Sequence, residues 1–106
     1  LSGDGGFMFN SQEMATAVQH KINVVVVVFN DNAFGNVKRD QKLKFGGRDI
    51  GVDLHNPDFM KLAQAYGVKG MRAAGPDELE AALRKALDVE APTLIEVPVG
   101  EMPEPW

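Results

Sequence analysis

Two short polar clusters are suited to binding a metal ion together with a phosphorylated ligand. The first, GDGG at residues 3–6, places Asp4 among glycines, and the second, NDN at residues 30–32, places Asp31 directly after an apolar run. Carboxylate oxygens are ligands that Mg²⁺ prefers, and the ion usually keeps positions for water and phosphate oxygens. Glycines let backbone amides approach an anion closely. The two clusters therefore predict a cofactor site that uses Mg²⁺ and a phosphate group.

Each cluster also has an ordinary structural interpretation when it is taken alone. Gly-Asp-Gly is usually a tight turn, and Asn-Asp-Asn after a strand usually bonds to its own backbone. The functional interpretation requires both clusters to lie at the same edge of one sheet. It therefore depends on the elements that position them.

The apolar run VVVVVF at residues 24–29 is continuous rather than alternating, which is typical of a strand buried on both faces of a parallel sheet. Leu1 and Ser2 resemble the end of an earlier strand. Between them, Asn10 with Glu13 three residues later predicts the start of a helix that runs to His20. Strands joined by one helix are usually neighbours, and ligands bind outside their carboxyl ends. Asp4 and Asp31 are thus expected in one crevice.

The remaining sequence predicts further helices and strands in alternation, which indicates an α/β fold with a mostly parallel sheet flanked by helices. Sheets of this kind usually hold about 4 to 6 strands. Only two or three complete strands are predicted, so we expect residues 1–106 to be the C-terminal part of a single domain, truncated on its N-terminal side, with upstream strands and other domains absent. The predicted elements are a helix opened by Asn56 and Pro57 and ended by Gly67, a strand at 68–72, a helix from Gly75, and a strand at 93–99 followed by Pro103 and Pro105.

Composition and charge exclude several classes of function. The net charge of -4 argues against binding nucleic acid, because that requires a basic surface. The chain has no cysteine, which excludes disulfides, zinc-thiolate sites and thiol nucleophiles. The run at 24–29 is too short to cross a membrane and no basic-then-apolar leader is visible, so we expect a cytoplasmic location without a membrane partner.

A family resemblance is carried by GDGGFMFNSQEMATAVQHKINVVVVVFNDNAFGNV at residues 3–37. This segment resembles the signature of thiamine-diphosphate-dependent enzymes of the acetolactate synthase and benzaldehyde lyase group. Asp4 and Asp31 are 27 positions apart, which is the interval between the two ligands in that family. The similarity continues through HNPDFMKLAQAYGVKGMR at residues 55–72. It implies the thiamine-diphosphate-binding fold, with thiamine diphosphate and Mg²⁺ as cofactors.

The resemblance also implies roles for individual residues. Mg²⁺ would be held by the side chains of Asp4 and Asp31 and by the backbone carbonyl of Ala33. No residue of this chain is assigned a catalytic role. Asp31 stands where the family more often has asparagine, and Gly6 stands where serine is common. The implied cofactor-binding residues are Gly3, Asp4, Gly5, Gly6, Asp31, Ala33, Phe34 and Gly35.

The implied activity is to make or break carbon–carbon bonds next to a carbonyl group, in a lyase or transferase. The substrate would be a 2-oxo acid or an aldehyde, and the enzyme would be a homo-oligomer, a dimer or tetramer. Val37 stands where the decarboxylase branch often has a proton-handling glutamate, which favours an acetolactate synthase-like carboligase or lyase. The chain alone is expected to be inactive, because the cofactor-activating glutamate of the family belongs to another domain.

Two alternatives remain open. Residues 36–54 predict a long loop rich in Lys and Arg, which is either a solvated surface or a lid that attracts a carboxylate substrate. The rival function is a non-catalytic α/β binding module, similar to receiver domains or flavodoxins. A receiver needs a lysine at the end of a late strand, and residues 99–101 offer none.

Overall fold

The computed structural model describes residues 1–100. Its four strands are all parallel and form one sheet in the order β1-β2-β4-β3. This confirms the predicted α/β class with a parallel sheet, whereas the predicted proline-marked exit at Pro103 and Pro105 lies outside the described residues. The elements in chain order are β1 (Ser2–Gly3), α1 (Asp4–Asn10), α2 (Glu13–Gln19), β2 (Val25–Asn30), α3 (Gly35–Lys44), α4 (Phe59–Tyr66), β3 (Lys69–Arg72), α5 (Pro76–Asp88) and β4 (Thr93–Pro98).

The strand β2 lies inside the sheet, between β1 and β4, as its continuous apolar sequence predicts. Successive side chains of a strand point to opposite faces. Val28 packs on the face covered by α1, α2 and α4, where Phe59 is 1% exposed, while Val27 packs on the face covered by α5. Both faces of β2 are therefore covered, which is why it carries no alternating polar residues.

The helix predicted to start at Asn10 starts earlier and is interrupted. Gly3 is extended, with φ −79° and ψ 162°, and α1 begins at Asp4 and ends at Asn10. No side chain caps the start of α2, so Asn10 and Glu13 do not form the predicted capping pair. Tertiary packing explains the early start, since the Phe7 ring in α1 meets Phe59 edge-on at 5.7 Å between ring centroids. Local capping signals are weaker than such a buried contact.

The cap of α4 lies two residues later than predicted. Asp58, not Asn56, is the capping residue, and its Oδ1 accepts hydrogen bonds from the amides of Met60 at 2.9 Å and Lys61 at 3.2 Å. The helix ends as predicted at Gly67, which has the left-handed φ of 76° that favours glycine. The side chain of Asn56 is thus available for other contacts.

The segment predicted as one long loop contains the helix α3. None of the ten residues of α3 is buried, so the sequence has no apolar stripe that would indicate a helix. The chain after α3 returns to it through Gln41, which bonds to both the amide and the carbonyl of Ile50, at 2.9 and 3.2 Å. None of the helices in residues 1–100 is long and apolar enough to cross a bilayer.

Candidate functional site

Asp4 and Asp31 meet at the carboxyl ends of two adjacent parallel strands. Gly3 of β1 lies opposite Phe29 of β2, so the two strands end side by side. Asp4 is the first residue of α1 and is 2% exposed, while Asp31 is half-buried and directly follows β2. The prediction that these two acids share one crevice is confirmed.

The contact between the two acids changes the titration of Asp31. Its pKa is raised, first because burial disfavours the charged form, and then because its side chain hydrogen-bonds and repels that of Asp4. The backbone amide of Ala33, 3.1 Å from Asp31 Oδ1, acts in the opposite direction. Two ionised carboxylates in contact are unfavourable unless a cation compensates them. The arrangement therefore suits a cation close to both acids.

The turn after β2 is fixed by its own side chains. Asn30 Oδ1 accepts from the amide of Asn32 at 3.0 Å, in the same way that Asp31 accepts from Ala33. Asn32 adopts the left-handed conformation with φ 56°, which asparagine tolerates better than most residues. Next to it, the amide of Phe34 bonds to the carbonyl of Val52 at 2.8 Å. The polar cluster is therefore a turn held by its own hydrogen bonds.

One cavity of about 260 Å³ lies between this turn and the start of α1. It brings together all eight residues predicted for the cofactor site, from both clusters. Four further residues complete the lining. Of these, Val37 alone was singled out from the sequence, for its bearing on the type of reaction. The lining residues are Gly3, Asp4, Gly5, Gly6, Phe29, Asp31, Ala33, Phe34, Gly35, Asn36, Val37 and Val99.

Gly5 allows the two sides of the cavity to approach each other. A Cβ atom at this position would lie 2.6 Å from Cε1 and 2.7 Å from Cδ1 of Phe34. The aromatic ring therefore occupies the space that any other residue at position 5 would need. At Gly6 the nearest atom to such a Cβ is Ser2 Oγ at 3.4 Å, so position 6 is much less constrained.

Asn56 is a site residue that the sequence did not identify. Its Nδ2 donates to Asp4 Oδ2 at 2.6 Å, to Asn30 Oδ1 at 3.0 Å and to Asn32 Oδ1 at 3.3 Å. It thus connects both clusters, although it lies 52 residues from Asp4 in the chain. Its position before a proline suggested a helix cap, and no local pattern could indicate partners so distant.

A buried carboxylate extends this hydrogen-bond network across the sheet. Glu96 in β4 is 5% exposed, and its Oε1 accepts from Asn30 Nδ2 at 2.9 Å. Its other oxygen, Oε2, accepts from Arg72 Nε at 2.9 Å, so the buried charge is paired. The sequence did carry a signal here, because one acid interrupts the apolar strand TLIEV at residues 93–97.

The donors at the cavity are hard oxygen atoms. In residues 1–100 no three or more His, Cys, Asp or Glu side chains converge in a way that could hold a metal ion. Any ion at Asp4 and Asp31 would take its other ligands from backbone carbonyls, water or a bound ligand. The backbone hydrogen bonds between this turn and the segment at 52–54 are made by the carbonyl of Asn32 and the amide of Phe34. Two carboxylates with mixed remaining oxygens match the preference of Mg²⁺.

Comparison with curated proteins finds similarity to acetolactate synthases. The chain is 42% identical over 98 residues to a probable acetolactate synthase large subunit of Methanocaldococcus jannaschii, covering 92% of this chain and 17% of that protein. It is 40% identical over 99 residues to acetolactate synthase of Bacillus subtilis, covering 93% of this chain and again 17% of the relative. The chain therefore spans less than a fifth of the length of these relatives.

Two solved structures with the same fold are decarboxylases. Benzoylformate decarboxylase of Polynucleobacter necessarius superposes with a TM-score of 0.88 at 33% identity, over 98% of this chain and 20% of that one. A thiamine diphosphate-dependent 4-hydroxybenzoylformate decarboxylase of Rhodococcus jostii gives a TM-score of 0.86 at 34% identity, over 94% of this chain and 19% of that one. These neighbours confirm the predicted fold.

The family comparison covers nearly the whole described chain. The family described as "Thiamine pyrophosphate enzyme, C-terminal TPP binding domain" matches residues 1–97. This match includes both polar clusters, Asn56 and Glu96, and it does not favour the receiver-like or flavodoxin-like alternative. The chain belongs to the family of C-terminal thiamine pyrophosphate-binding domains of thiamine pyrophosphate enzymes.

Proposed function

We propose that this chain holds the diphosphate of thiamine diphosphate through Mg²⁺. The side chains of Asp4 and Asp31 and the carbonyl of Ala33 are the protein ligands of the ion. The observation that carries this proposal is that Asp4 and Asp31, from the ends of adjacent strands, line the same cavity, where burial first and the neighbouring Asp4 second raise the pKa of Asp31. A divalent cation removes that repulsion, and phosphate oxygens complete its coordination.

The glycines and the aromatic wall give the cavity its remaining functions. The backbone amides of Gly5 and Gly6 face the diphosphate, and Phe34 and Gly35 form the wall beside the cofactor. The fit of Phe34 against Gly5 supports this assignment, because it fixes the ring at the cavity without blocking the glycine backbone. Gly3 contributes to the same lining at the end of β1.

The complete enzyme makes or breaks carbon–carbon bonds next to a carbonyl, with a 2-oxo acid or an aldehyde as substrate. Bound thiamine diphosphate supplies the carbanion chemistry, and this domain orients the cofactor by its diphosphate end. The enzyme acts as a homo-oligomer. Similarity to acetolactate synthases in sequence supports a carboligase or lyase of that type.

Val37 supports the same choice between reaction types. It lines the cavity, and its alkyl side chain cannot donate or accept the proton that a simple decarboxylation requires at the reacting carbonyl. Decarboxylation is the second candidate function, because two similar solved structures, both at about a third identity, are decarboxylases. Incubating the complete enzyme with pyruvate distinguishes the candidates, since a carboligase forms acetolactate and a decarboxylase forms acetaldehyde.

The assignment of the metal ligands is tested in the complete enzyme by equilibrium dialysis of thiamine diphosphate at increasing Mg²⁺. Asp4→Ala and Asp31→Ala should each lose cofactor retention at Mg²⁺ concentrations that saturate the unmodified enzyme. Asp31→Asn should be much milder, because an amide oxygen of the same shape remains as a ligand. Asp49→Ala is the matched control, since this exposed aspartate lies outside the cavity lining. Full retention by Asp4→Ala or Asp31→Ala would refute the assignment.

A further inference from the structure

We propose that Asn56 is a positioning residue for Asp4, which it holds in the rotamer that binds the metal ion. The inference rests on the proposed function, because only there is Asp4 a metal ligand. Asn56 is half-buried and lies in the connection before α4. It contacts the metal-binding turn and Asp4 through one nitrogen atom, Nδ2.

The hydrogen-bond geometry favours Asp4 as the main partner. An asparagine amide nitrogen carries two hydrogens, and three oxygens surround Asn56 Nδ2. Asp4 Oδ2 at 2.6 Å is much nearer than Asn32 Oδ1 at 3.3 Å, so the hydrogen bond to Asp4 is the stronger of the two. This hydrogen bond holds Oδ2 of Asp4 in place. Because both oxygens belong to one planar carboxylate, it also restricts the direction in which Oδ1 points.

The orientation of the Asn56 amide is itself determined by Glu96. The carboxylate of Glu96 can only accept from Asn30, so Asn30 must turn its Nδ2 toward Glu96. Asn30 then presents Oδ1 to Asn56, and the same oxygen accepts from the amide of Asn32. A flipped Asn56 would place its oxygen against two acceptor oxygens, those of Asn30 and Asp4. Only the donating orientation satisfies the network.

Helix capping does not account for Asn56. Asp58 accepts the hydrogen bonds of the free amides at the start of α4, and within residues 1–100 the Asn56 side chain bonds to Asp4, Asn30 and Asn32. Residues that orient a metal ligand from behind typically change metal affinity by about 10- to 100-fold when they are removed. Such a loss is expected at Asn56.

The test uses the complete enzyme and measures the Mg²⁺ concentration at half-saturation of thiamine diphosphate binding by equilibrium dialysis. Asn56→Ala and Asn56→Leu, the second of similar shape but without a donor, should each raise it by about 10- to 100-fold. Asp58→Ala is the matched control, because it weakens the same connection through helix capping without contacting Asp4. Asp58→Ala should leave the Mg²⁺ concentration at half-saturation (the Mg²⁺ requirement) unchanged. Thermal unfolding of the metal-free proteins shows whether each variant is folded.

The outcomes separate this inference from the proposed function. An unchanged Mg²⁺ requirement in both Asn56 variants, with Asp4→Ala defective, would overturn the role of Asn56 and leave the metal site intact. If Asp58→Ala raised the Mg²⁺ concentration at half-saturation equally, the role of Asn56 would also be overturned, because the effect would then be general destabilisation. Normal binding by Asp4→Ala would instead refute the proposed function itself. A rise in the Mg²⁺ concentration at half-saturation that is confined to the Asn56 variants and Asp4→Ala supports both the role of Asn56 and the proposed metal site.

Discussion

The two sides of the cavity are built in different ways. On one side, Asp4 and Asp31 stand at the ends of adjacent strands, and their surroundings include the buried Glu96 and the network through Asn56. On the other side lies the α3 segment, residues 35–51, in which no residue is buried. The side with Asp4 and Asp31 is thus held by buried and hydrogen-bonded side chains, whereas the α3 helix packs only loosely.

The contacts that hold the α3 segment are mostly exposed. Lys38 pairs with Asp53 at 2.7 Å and Lys44 with Asp40 at 3.3 Å, and the side chain of Asp53 is 76% exposed. Exposed ion pairs of this kind contribute only about 0 to 1 kcal/mol each. The basic residues of this segment are thus partly neutralised, and the helix depends on local structure more than on the core.

The largest expected effect contrasts one buried side chain with one on α3. Phe59→Ala, at a residue 1% exposed beneath the aspartate side, should cost about 3 to 5 kcal/mol of unfolding free energy. Leu43→Ala, at a residue 54% exposed on α3, should change the unfolding free energy by no more than about 0.5 kcal/mol. Urea unfolding of this chain measures both. Similar losses at the two positions would show that the α3 segment is as firmly packed as the sheet.

A smaller effect is expected where the two sides touch. Gly5→Ala forces the Phe34 ring away from a Cβ only 2.6 Å distant. Overpacking of this kind lowers the free energy of unfolding by about 1 to 3 kcal/mol, which urea unfolding measures. Gly6→Ala is the matched control, because its Cβ meets only Ser2 Oγ at 3.4 Å. Combining Phe34→Ala with Gly5→Ala should recover much of the unfolding free energy that Gly5→Ala loses. Combining it with Gly6→Ala should recover none. Additive losses in that double-mutant cycle would contradict the contact.

The smallest effect concerns pH and the start of α4. Hydrogen bonds from the amides of Lys61 and Met60 hold the pKa of Asp58 below its usual value. Ionised Asp58 therefore stabilises the fold above the unfolded pKa of about 3.9, and this contribution is lost as pH falls through the lowered folded value. Asp58→Ala should remove that part of the acid dependence of stability, measured by thermal unfolding between pH 6 and pH 2. An unchanged acid dependence in the variant would exclude the cap as its source.

The difference between the two sides also explains what the sequence could predict. The run at 24–29 and the stripes of α4 and α5 are periodic patterns produced by burial, so strand β2 and both helices were predicted close to their true bounds. The strand ends then located Asp4 and Asp31. The α3 segment buries too little to leave such a pattern, and its helix was missed.

The remaining errors come from contacts between distant parts of the chain. Asn10 and Glu13 have the spacing of a capping pair, yet α1 starts at Asp4 because Phe7 packs on Phe59. Asn56 was assigned to a helix start, although its partners lie 26 and 52 residues away. Short-range patterns do not encode such partners, so the position of the two acids at one cavity was predictable and the bond of Asn56 to Asp4 was not.

The most direct test of the metal site is anomalous diffraction from crystals of the complete enzyme grown with thiamine diphosphate and Mn²⁺ in place of Mg²⁺. We expect one manganese peak in the cavity, coordinated by a carboxylate oxygen of Asp4, one of Asp31, the carbonyl of Ala33 and oxygens of the diphosphate. A manganese peak away from Asp4 and Asp31, or a diphosphate bound outside this cavity, would contradict it.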